Sequence, residues 1–335
     1  MAESSPLWIS EADVVSMMDM GDAIDALEKG LLAEAESDAQ NMVKTHATWG
    51  DGSTLHAIGA LFPKEGFVGT KTWAHTAGGA TPLLILFNSE NGELKAIIEA
   101  FALGQMRTGS ASGVATRWLA AEDAAELAII GTGKQAITQV AAVLAVRPIR
   151  RVRVFGRNEE RRAQFAARVE KEFEIEAVPA SSIAEAVAGA SIITVVTRAS
   201  EPIISASMIK RGAHINAVGA IVESRAEIGS DVLARSSKTV VDSLPQAQKL
   251  SRELIEYFGS PDQAEWKQVI PLSSLVAARS TRDPQDDITL FKSLGMGISD
   301  LALGMELYRR ARARGLGREF PHPQRAMPRL RAGKR

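Results

Sequence analysis

The feature that most constrains the fold is a Gly-x-Gly-x-x-Ala segment in the middle of the chain. An apolar run over 128–130 leads into Gly131-Thr132-Gly133-Lys134-Gln135-Ala136, and the apolar positions that follow have helical spacing. This pattern predicts a strand, a tight turn and a helix start. Gly131 permits the turn, Gly133 lets the backbone approach a pyrophosphate, and Ala136 lets the helix pack closely on the strand. The phosphates would lie at the positive end of the helix, so all six residues are predicted to contact a dinucleotide.

The surrounding sequence supports this interpretation over a glycine turn that serves packing alone. A second apolar strand is predicted at 152–155, about 20 residues further on, as a dinucleotide-binding unit requires. Short apolar strands and helices then alternate to about residue 271, which predicts a doubly wound parallel sheet of the Rossmann type. Before residue 102, strand segments separated by Gly, Pro and Asn turn signals predict a mostly antiparallel region, followed by a helix over 103–120.

Composition excludes several classes of protein. The 39 basic and 40 acidic residues give no field that would favour nucleic acid or a membrane surface. No apolar run approaches the ~20 residues of a membrane helix, and the first residues lack the pattern of a signal peptide. The absence of cysteine excludes disulfides and thiolate chemistry and fits a reducing cytoplasm, where we expect the protein to act.

The end of the second predicted strand indicates which dinucleotide is bound. An acid that accepts hydrogen bonds from the adenosine ribose is normal there, but this position is Gly156. Arg157 follows directly and Arg161 lies one turn on, with Asn158 between them. These residues suit a 2′-phosphate, so the sequence favours NADPH over NADH. Glu159, an acid close to the same strand end, is compatible with NADH.

Two cations upstream are candidates for substrate binding. Lys71 lies in the middle of a predicted strand and shares a face with Trp73, so it is either a snorkelling surface residue or an ammonium directed into a pocket. Arg107 lies in a run of Gly, Ser and Ala that allows a ligand to approach, and its guanidinium suits a carboxylate. Four histidines fall in strands, but their spacing predicts no metal site: His46, His56, His75 and His214.

Taken together, several segments in this order resemble the ornithine cyclodeaminase/mu-crystallin family over residues 40–315. They are Arg107-Thr108, the glycine segment at 130–136, Val195-Val196-Thr197 with Pro202, 214–220, and 290–295 with Asp300. The resemblance implies a two-domain, usually dimeric protein that binds a nicotinamide dinucleotide. Members cyclise ornithine to proline with loss of ammonia, reduce imines of 2-oxo acids, or act as amino-acid dehydrogenases.

The resemblance also implies an organisation and roles for particular residues. The fold is expected to be α/β, with a Rossmann doubly wound parallel sheet at 116–299 and a second α+β substrate-binding and dimerisation domain at 1–115 with 300–320. A flexible tail is expected at 321–335. Lys71 matches the family's active-site lysine, and Arg107 matches its carboxylate-binding arginine. The cofactor contacts expected besides the glycine segment are Thr108, Arg157, Asn158, Arg161, Thr197, Val218, Gly219, Ser293 and Gly295.

Departures from the family pattern argue against the ornithine reaction. The aspartate that assists proton transfer in cyclodeaminases is Ile221 here, which cannot move a proton. A substrate arginine corresponds to Lys44 or is lost, and a glutamate corresponds to His56. The dinucleotide and carboxylate sites are unaffected by these changes.

The sequence therefore predicts hydride transfer between NAD(P)H and an imine of a 2-oxo acid. Arg107 and Lys71 would hold the carboxylate, and Lys71 or His56 would position a proton. Lys44, His46 and His56 could accept a second carboxylate, as in iminosuccinate. The alternatives are an ornithine cyclodeaminase, a binding protein of the mu-crystallin type that holds NADPH and a small carboxylated ligand, and a dinucleotide domain with an unrelated partner domain. A homodimer is expected.

Overall fold

The computed structural model describes residues 5–331, which form two β-sheets joined by helices. The expected flexible tail at 321–335 lies partly outside the described residues. The strands are β1 (Leu7–Ile9), β2 (Gln40–Asn41), β3 (Thr45–Trp49), β4 (Ser53–Phe62), β5 (Phe67–Thr76), β6 (Gly79–Ala80), β7 (Leu83–Asn88), β8 (Leu94–Glu99), β9 (Glu126–Ile130), β10 (Arg151–Phe155), β11 (Glu176–Pro179), β12 (Ile192–Val195), β13 (His214–Ala217), β14 (Ser236–Val241), β15 (Val269–Pro271), β16 (Ile288–Lys292) and β17 (Arg318–Glu319). The α-helices are α1 (Glu11–Met17), α2 (Met20–Ala35), α3 (Phe101–Leu119), α4 (Ala136–Leu144), α5 (Glu159–Phe173), α6 (Ile183–Val187), α7 (Ser230–Ala234), α8 (Leu244–Leu250), α9 (Arg252–Phe258), α10 (Leu272–Ala277) and α11 (Gly297–Arg314).

The first sheet is mostly antiparallel, in the order β17-β1-β8-β7-β5-β4-β2, with β3 on β4 and β6 on β5. Its strands alternate between two faces, as the period-2 pattern requires. On the inner face, Leu84 and Ile98 are cross-strand partners and are fully buried. They belong to one core with Leu27 of α2, Leu103 of α3 and Leu301 of α11. The three helices therefore cover one face of this sheet.

The second sheet is parallel throughout, in the order β11-β10-β9-β12-β13-β16-β14-β15. The chain runs from β9 outward through β10 to β11, then crosses to the other side of β9 and continues through β12 and β13. The direction of winding thus reverses between β9 and β12. Ligands of such sheets bind in the crevice outside the carboxyl ends of the strands at this reversal. The predicted fold class, a Rossmann doubly wound parallel sheet with a second α+β unit, is confirmed.

Two of the differences from the sequence prediction concern the parallel sheet and its connections. The apolar run Ile288–Lys292, which was not predicted as a strand, is the fully buried strand β16 between β13 and β14. A short apolar run of this kind has no periodicity that distinguishes a strand from a helix. One of the alternating helices that the sequence predicts before residue 271 falls near 205–210, and there the structure has only a 3₁₀ turn, Ala206–Met208. Preceding it, Ile204 forms a parallel bridge with Ile228, and this pairing holds the chain extended.

Helix α3 fixes the two sheets to each other. The Asn216 side-chain amide on β13 donates to Thr116 Oγ1 at 3.0 Å, and Thr289 Oγ1 on β16 donates to the Leu119 carbonyl at 2.8 Å. The same helix carries Arg107 about two turns from its start. These buried bonds therefore set the position of Arg107 relative to the parallel sheet. Among residues 5–331, no helix has the length and apolarity needed to span a membrane.

Candidate active site

The glycine segment lies at the reversal point and has the geometry of a phosphate turn. Gly131 has φ +116°, and a Cβ added there would lie 2.5 Å from the Val196 carbonyl oxygen, so only glycine lets the ends of β9 and β12 approach. A Cβ added to Gly133 would meet nothing within 4 Å. Gly133 therefore faces open space, as a backbone cradle for a pyrophosphate requires. Helix α4 begins at the buried Ala136 directly after the turn.

The end of β10 is shaped for the adenosine half of a dinucleotide. A Cβ added to Gly156 would lie 2.9 Å from Thr132 Cγ2, so the missing ribose-binding acid is excluded by packing against the phosphate turn. Arg157 and Arg161 are exposed. The Asn158 side chain accepts a hydrogen bond from the Arg161 backbone N–H at 2.8 Å and caps helix α5. The two guanidinium groups are thus free to reach an anion at this edge.

The ends of β12 and β13 meet on the other side of the crevice. A Cβ added to Gly219 would lie 2.1 Å from the Thr197 carbonyl oxygen. Both segments are held by the buried carboxylate of Glu227, which accepts from the Thr197 backbone N–H at 2.6 Å and from the Gly219 N–H at 2.7 Å. Val218, at the end of β13, is buried beside them. Glu227 lies in a loop 30 residues after Thr197, and its sequence context gave no signal of this role.

A second buried carboxylate holds the turn that follows β16. Asp242 accepts from the Ser293 hydroxyl at 2.9 Å and from the Gly295 backbone N–H at 2.8 Å. Burial raises the pKa of Asp242, and these donated bonds oppose the rise. Gly295 has φ +94°, and a Cβ added there would lie 3.3 Å from Arg107 Nη1. The predicted substrate arginine, Arg107, therefore lies next to this turn, which belongs to the edge of the parallel sheet where the cofactor is expected (the cofactor edge).

Lys71 and Arg107 converge on Asp300, an acid that was outside the predicted site. Helix α11 begins so close to β4 that a Cβ added to Gly297 would lie 1.8 Å from the Gly59 carbonyl oxygen. This approach places Asp300, in the first turn of α11, beside Lys71 on β5. Lys71 donates a hydrogen bond to Asp300 Oδ1, and Arg107 Nε lies 3.6 Å from the same oxygen. A buried acid within the apolar stretch 297–303 is the signal that sequence reasoning could have used.

The cluster leaves hydrogen-bonding capacity unused. Asp300 is fully buried and Lys71 is 4% exposed. Within the described chain, neither Arg107 Nε nor Asp300 Oδ2 has a hydrogen-bond partner. Buried polar groups of folded proteins are nearly always paired, so unpaired ones indicate a site for a ligand. An anionic ligand fits Arg107, whose planar guanidinium binds carboxylates.

Electrostatics also distinguish this cluster from a surface ion pair. The pKa of Lys71 is lowered to about 8, mainly by burial and also by the nearby Arg107 and Lys44 cations, while Asp300 opposes the shift. Burial, followed by the Arg107 cation, also lowers the pKa of Lys44. Three cations thus surround one carboxylate, and the cluster has an excess of positive charge. A lysine with such a pKa can exchange a proton near neutral pH.

A row of aromatic rings extends from Lys71 along the inner face. Lys71 Nζ lies 5.2 Å from the Trp73 ring centroid, and Trp73 stacks on His56 at 4.7 Å. His56 in turn stacks on His46 at 5.7 Å, and its Nε2 lies 2.8 Å from Thr54 Oγ1. Burial, with help from Lys44, lowers the pKa of His56, which keeps the ring neutral. His56 Nδ1 has no partner in the described chain.

The remaining predicted residues lie apart from this cluster or serve structure. Thr108 Oγ1 donates to the Gly104 carbonyl within α3 at 3.0 Å. His214 is fully buried in the parallel sheet between Thr289 and Asn216, and burial lowers its pKa to about 3, so it is a neutral structural group. Among residues 5–331, no three His, Asp or Glu side chains are grouped so that they could hold a metal.

The model of the ornithine cyclodeaminase/mu-crystallin family matches residues 6–315. The chain belongs to this family. It is similar to delta(1)-pyrroline-2-carboxylate reductase of Bacillus cereus, with 34% identity over 273 residues that cover 78% of this chain and 80% of the relative. The family predicted from the sequence is therefore confirmed.

Solved structures of the family have the same fold. Delta(1)-pyrroline-2-carboxylate reductase of Thermococcus litoralis, in complex with NADH and L-proline, superposes with a TM-score of 0.86 at 28% identity, over 94% of this chain and 100% of that one. An archaeal alanine dehydrogenase dimer with bound NAD superposes with a TM-score of 0.85 at 25% identity, over 95% of this chain and 99% of that one.

Proposed function

We propose that this family member reduces imines of 2-oxo acids to amino acids with NADH or NADPH. The observation that carries the proposal is the convergence of Lys71 and Arg107 on Asp300, next to the Gly295 turn of the cofactor edge. At the coarser level the protein is an NAD(P)-dependent oxidoreductase acting on CH–NH groups, as the sequence predicted. The relative from Bacillus cereus and the NADH complex of the Thermococcus enzyme support that class.

The crevice fits a nicotinamide dinucleotide, which supplies the hydride when bound. The open face of Gly133 and the start of α4 would hold the pyrophosphate, and Arg157 and Arg161 would hold the adenosine end. Thr197 and Gly219, beyond the reversal point, would then lie beside the nicotinamide. In this order the reacting end of the cofactor would lie on the side of the parallel sheet that Gly295 and Arg107 face.

Arg107 binds the substrate carboxylate in this account. Its guanidinium would form a bidentate pair with the carboxylate on the imine carbon, and its Nε makes no hydrogen bond within the described chain. Since α3 is clamped to the parallel sheet by Asn216 and Thr289, Arg107 also fixes the distance between the imine and the cofactor edge. Such positioning supplies a large part of the barrier reduction in bimolecular reactions.

Lys71 holds the proton that the imine nitrogen needs. With a pKa of about 8, its ammonium is largely protonated at neutral pH yet acidic enough to donate. A protonated imine is the better hydride acceptor, but it is cationic and would be repelled by Lys71 and Arg107 alone. The Asp300 carboxylate offsets this repulsion. His56, whose ring is neutral and whose Nδ1 has no partner in the described chain, is a second candidate for positioning that proton through a hydrogen bond.

The excess positive charge favours a second carboxylate on the substrate. Lys44 acts electrostatically on both Arg107 and Lys71, so it lies in the same cluster, and His46 and His56 extend from it along the sheet. A dicarboxylate imine such as iminosuccinate would use this extra charge. A cyclic imine with one carboxylate would leave Lys44 hydrated.

We propose that NADPH is preferred over NADH. The exposed Arg157 and Arg161 flank a strand end at which Gly156 has no room for a side chain. The acid that normally occupies this position and rejects a 2′-phosphate is therefore absent.

A homodimer is proposed from the outer face of the antiparallel sheet. This face is apolar although no helix of residues 5–331 covers it: Leu55 is 50% exposed, Leu61 is 41% exposed, and Val68, Ile85 and Ile97 are half-buried beside them. Exposed apolar patches of this kind mark protein interfaces. We assign the face to a second copy because the archaeal alanine dehydrogenase structure is a dimer.

Two other functions are compatible with the family. A cyclodeaminase would release ammonia from ornithine with no net change of cofactor; it is disfavoured because the proton-moving acid is replaced by Ile221, which is 37% exposed beyond Gly219. A binding protein would hold the cofactor and a carboxylated ligand without turnover. The buried Lys71 with a lowered pKa favours catalysis over binding alone.

The test is oxidation of NADPH and of NADH, followed at 340 nm in parallel. Substrates are pyruvate, glyoxylate and oxaloacetate, each with ammonia or methylamine, and delta(1)-pyrroline-2-carboxylate; ornithine-to-proline conversion is measured separately. We expect oxidation with at least one imine and none with the 2-oxo acids alone. Proline formation without imine reduction would instead identify a cyclodeaminase. Tight cofactor binding with neither reaction would identify a binding protein.

A further inference from the structure

The Glu227 carboxylate behind the nicotinamide end of the crevice has no free acceptor position. Oε1 accepts from the backbone N–H and the hydroxyl of Thr197, at 2.6 and 2.8 Å. Oε2 accepts from the backbone N–H groups of Gly219 and Ala220, at 2.7 and 3.0 Å. Burial raises the pKa of Glu227, and the Lys292 ammonium and these donors oppose the rise. All four positions are filled by donors, and hydrogen bonds donated to a carboxylate favour its ionised form, so we treat the group as an anion.

A buried ion pair lies directly behind it. The Glu227 backbone N–H donates to Glu253 Oε1 at 2.8 Å, and Lys292 Nζ lies 3.0 Å from Glu253 Oε2. Glu227 and Lys292 are fully buried, and Glu253 is 4% exposed. Lys292 therefore neutralises one of the two carboxylates. The cluster keeps one negative charge in a region without solvent to screen it.

The backbone transmits this polarity to the crevice. In a trans peptide the N–H and the preceding C=O point in opposite directions. Because the N–H groups of Thr197 and Gly219 point at Glu227, the Val196 and Val218 carbonyl oxygens point away from it. The Val196 oxygen lies at the gap between β9 and β12, 2.5 Å from where a Cβ on Gly131 would be. Both the net charge and the aligned carbonyls make this end of the crevice negative.

We infer that the Glu227–Glu253–Lys292 cluster tunes the bound cofactor by favouring the oxidised nicotinamide over the reduced one. The oxidised ring carries a positive charge and the reduced ring does not, so a fixed negative charge behind the ring stabilises only the former. Glu227 would act as a positioning residue through Thr197 and Gly219 and as a source of field. Its kinetic consequence rests on the proposed function: the field would stabilise the positive charge that develops as hydride leaves for the imine.

The experiment is isothermal titration of the wild type, Glu227→Gln and Glu253→Gln with NAD⁺ and NADH, and with NADP⁺ and NADPH. We expect Glu227→Gln to lower the affinity for the oxidised cofactor about tenfold more than the affinity for the reduced cofactor. This is the effect expected from one nearby charge at an intermediate dielectric constant. Glu253→Gln should shift the ratio in the same direction by a smaller factor, since it lies further back. Glu172→Gln, on the surface of α5 where it pairs with Arg168, is the matched control and should change neither constant.

Thermal unfolding without cofactor accompanies each titration. If Glu227 and Glu253 are merely structural, the affinities for both redox forms fall by one common factor, and the inference is wrong. If Glu227→Gln does not fold, Glu253→Gln decides, and an unchanged ratio overturns the inference. No substrate is present, so a failure of imine reduction would leave this result standing.

Discussion

The two sheets use charged side chains in opposite ways. At the edge of the parallel sheet, Glu227 and Asp242 are saturated by backbone and hydroxyl donors and hold the loops that form the crevice. On the antiparallel sheet and α3, Lys71 and Arg107 share the one carboxylate of Asp300, and donors and acceptors stay unpaired. Saturated groups stabilise the shape of a site, whereas unsaturated ones are available to a ligand. We therefore assign the shape and the field of the cofactor crevice to the first set and substrate chemistry to the second.

The largest expected effect is at the cluster of Lys71, Arg107 and Asp300, which has unpaired polar atoms. Arg107→Met should lower kcat/KM for imine reduction about 10³-fold, since a buried, charge-assisted carboxylate contact is lost. Affinity for the reduced cofactor, measured by titration, should stay within about twofold if Arg107 serves the substrate alone. Arg309→Met, which removes a surface arginine paired with Glu65, is the control and should change neither. If Arg107→Met lowered cofactor affinity and kcat/KM by the same factor, Arg107 would not serve the substrate alone.

In the turn after β9, Gly131 is expected to serve the fold and Gly133 to serve cofactor binding. Gly131→Ala should lower the free energy of unfolding by about 2–4 kcal/mol, because the residue has a positive φ and the new Cβ would collide with the Val196 carbonyl. Gly133→Ala meets no atom of the chain, so it should keep the unfolding midpoint but weaken cofactor binding. Denaturation and cofactor titration measure the two effects. An unstable Gly133→Ala variant with normal cofactor affinity would be incompatible with an open cradle.

The pH profile tests the protonation of Lys71. Its pKa of about 8 lies below the ordinary value, so the ammonium is present below pH 8 and is lost as the pH rises through 8. We expect kcat/KM for imine reduction to fall about tenfold per pH unit above this value. Asp300→Asn should move that limb to lower pH, because the carboxylate raises the pKa of Lys71. A limb that stays in place in this variant would exclude Lys71 as the titrating group.

The smallest effect concerns cofactor choice. Replacing both Arg157 and Arg161 with serine should raise KM for NADPH about tenfold, because two exposed charges near a phosphate contribute modestly, and should leave KM for NADH unchanged. Steady-state kinetics with each cofactor at a fixed imine concentration measure the change. Equal effects on both cofactors would show that these arginines do not recognise the 2′-phosphate.

The sequence predicted the parallel sheet and its turn far better than the substrate pocket. Residues 131–136 are contiguous, so their spacing and the strand and helix predicted around them are visible in the sequence. Lys71, in contrast, meets Asp300 across 229 residues of chain, and that contact depends on how α11 packs against β4. Glu227 gave no signal because its partners are backbone N–H groups, which every sequence has. Strand β16 was missed because complete burial removes periodicity.

The most direct measurement compares two ring imines that differ only by a carboxylate. Initial rates of NADPH and NADH oxidation are measured with delta(1)-pyrroline-2-carboxylate and with delta(1)-pyrroline. If Arg107 and Lys71 bind the carboxylate of the reacting imine, kcat/KM should be at least about 10³-fold higher for the carboxylate, and Arg107→Met should abolish most of that difference. Equal rates for the two rings, or reduction of neither ring nor any open-chain imine, would contradict the account.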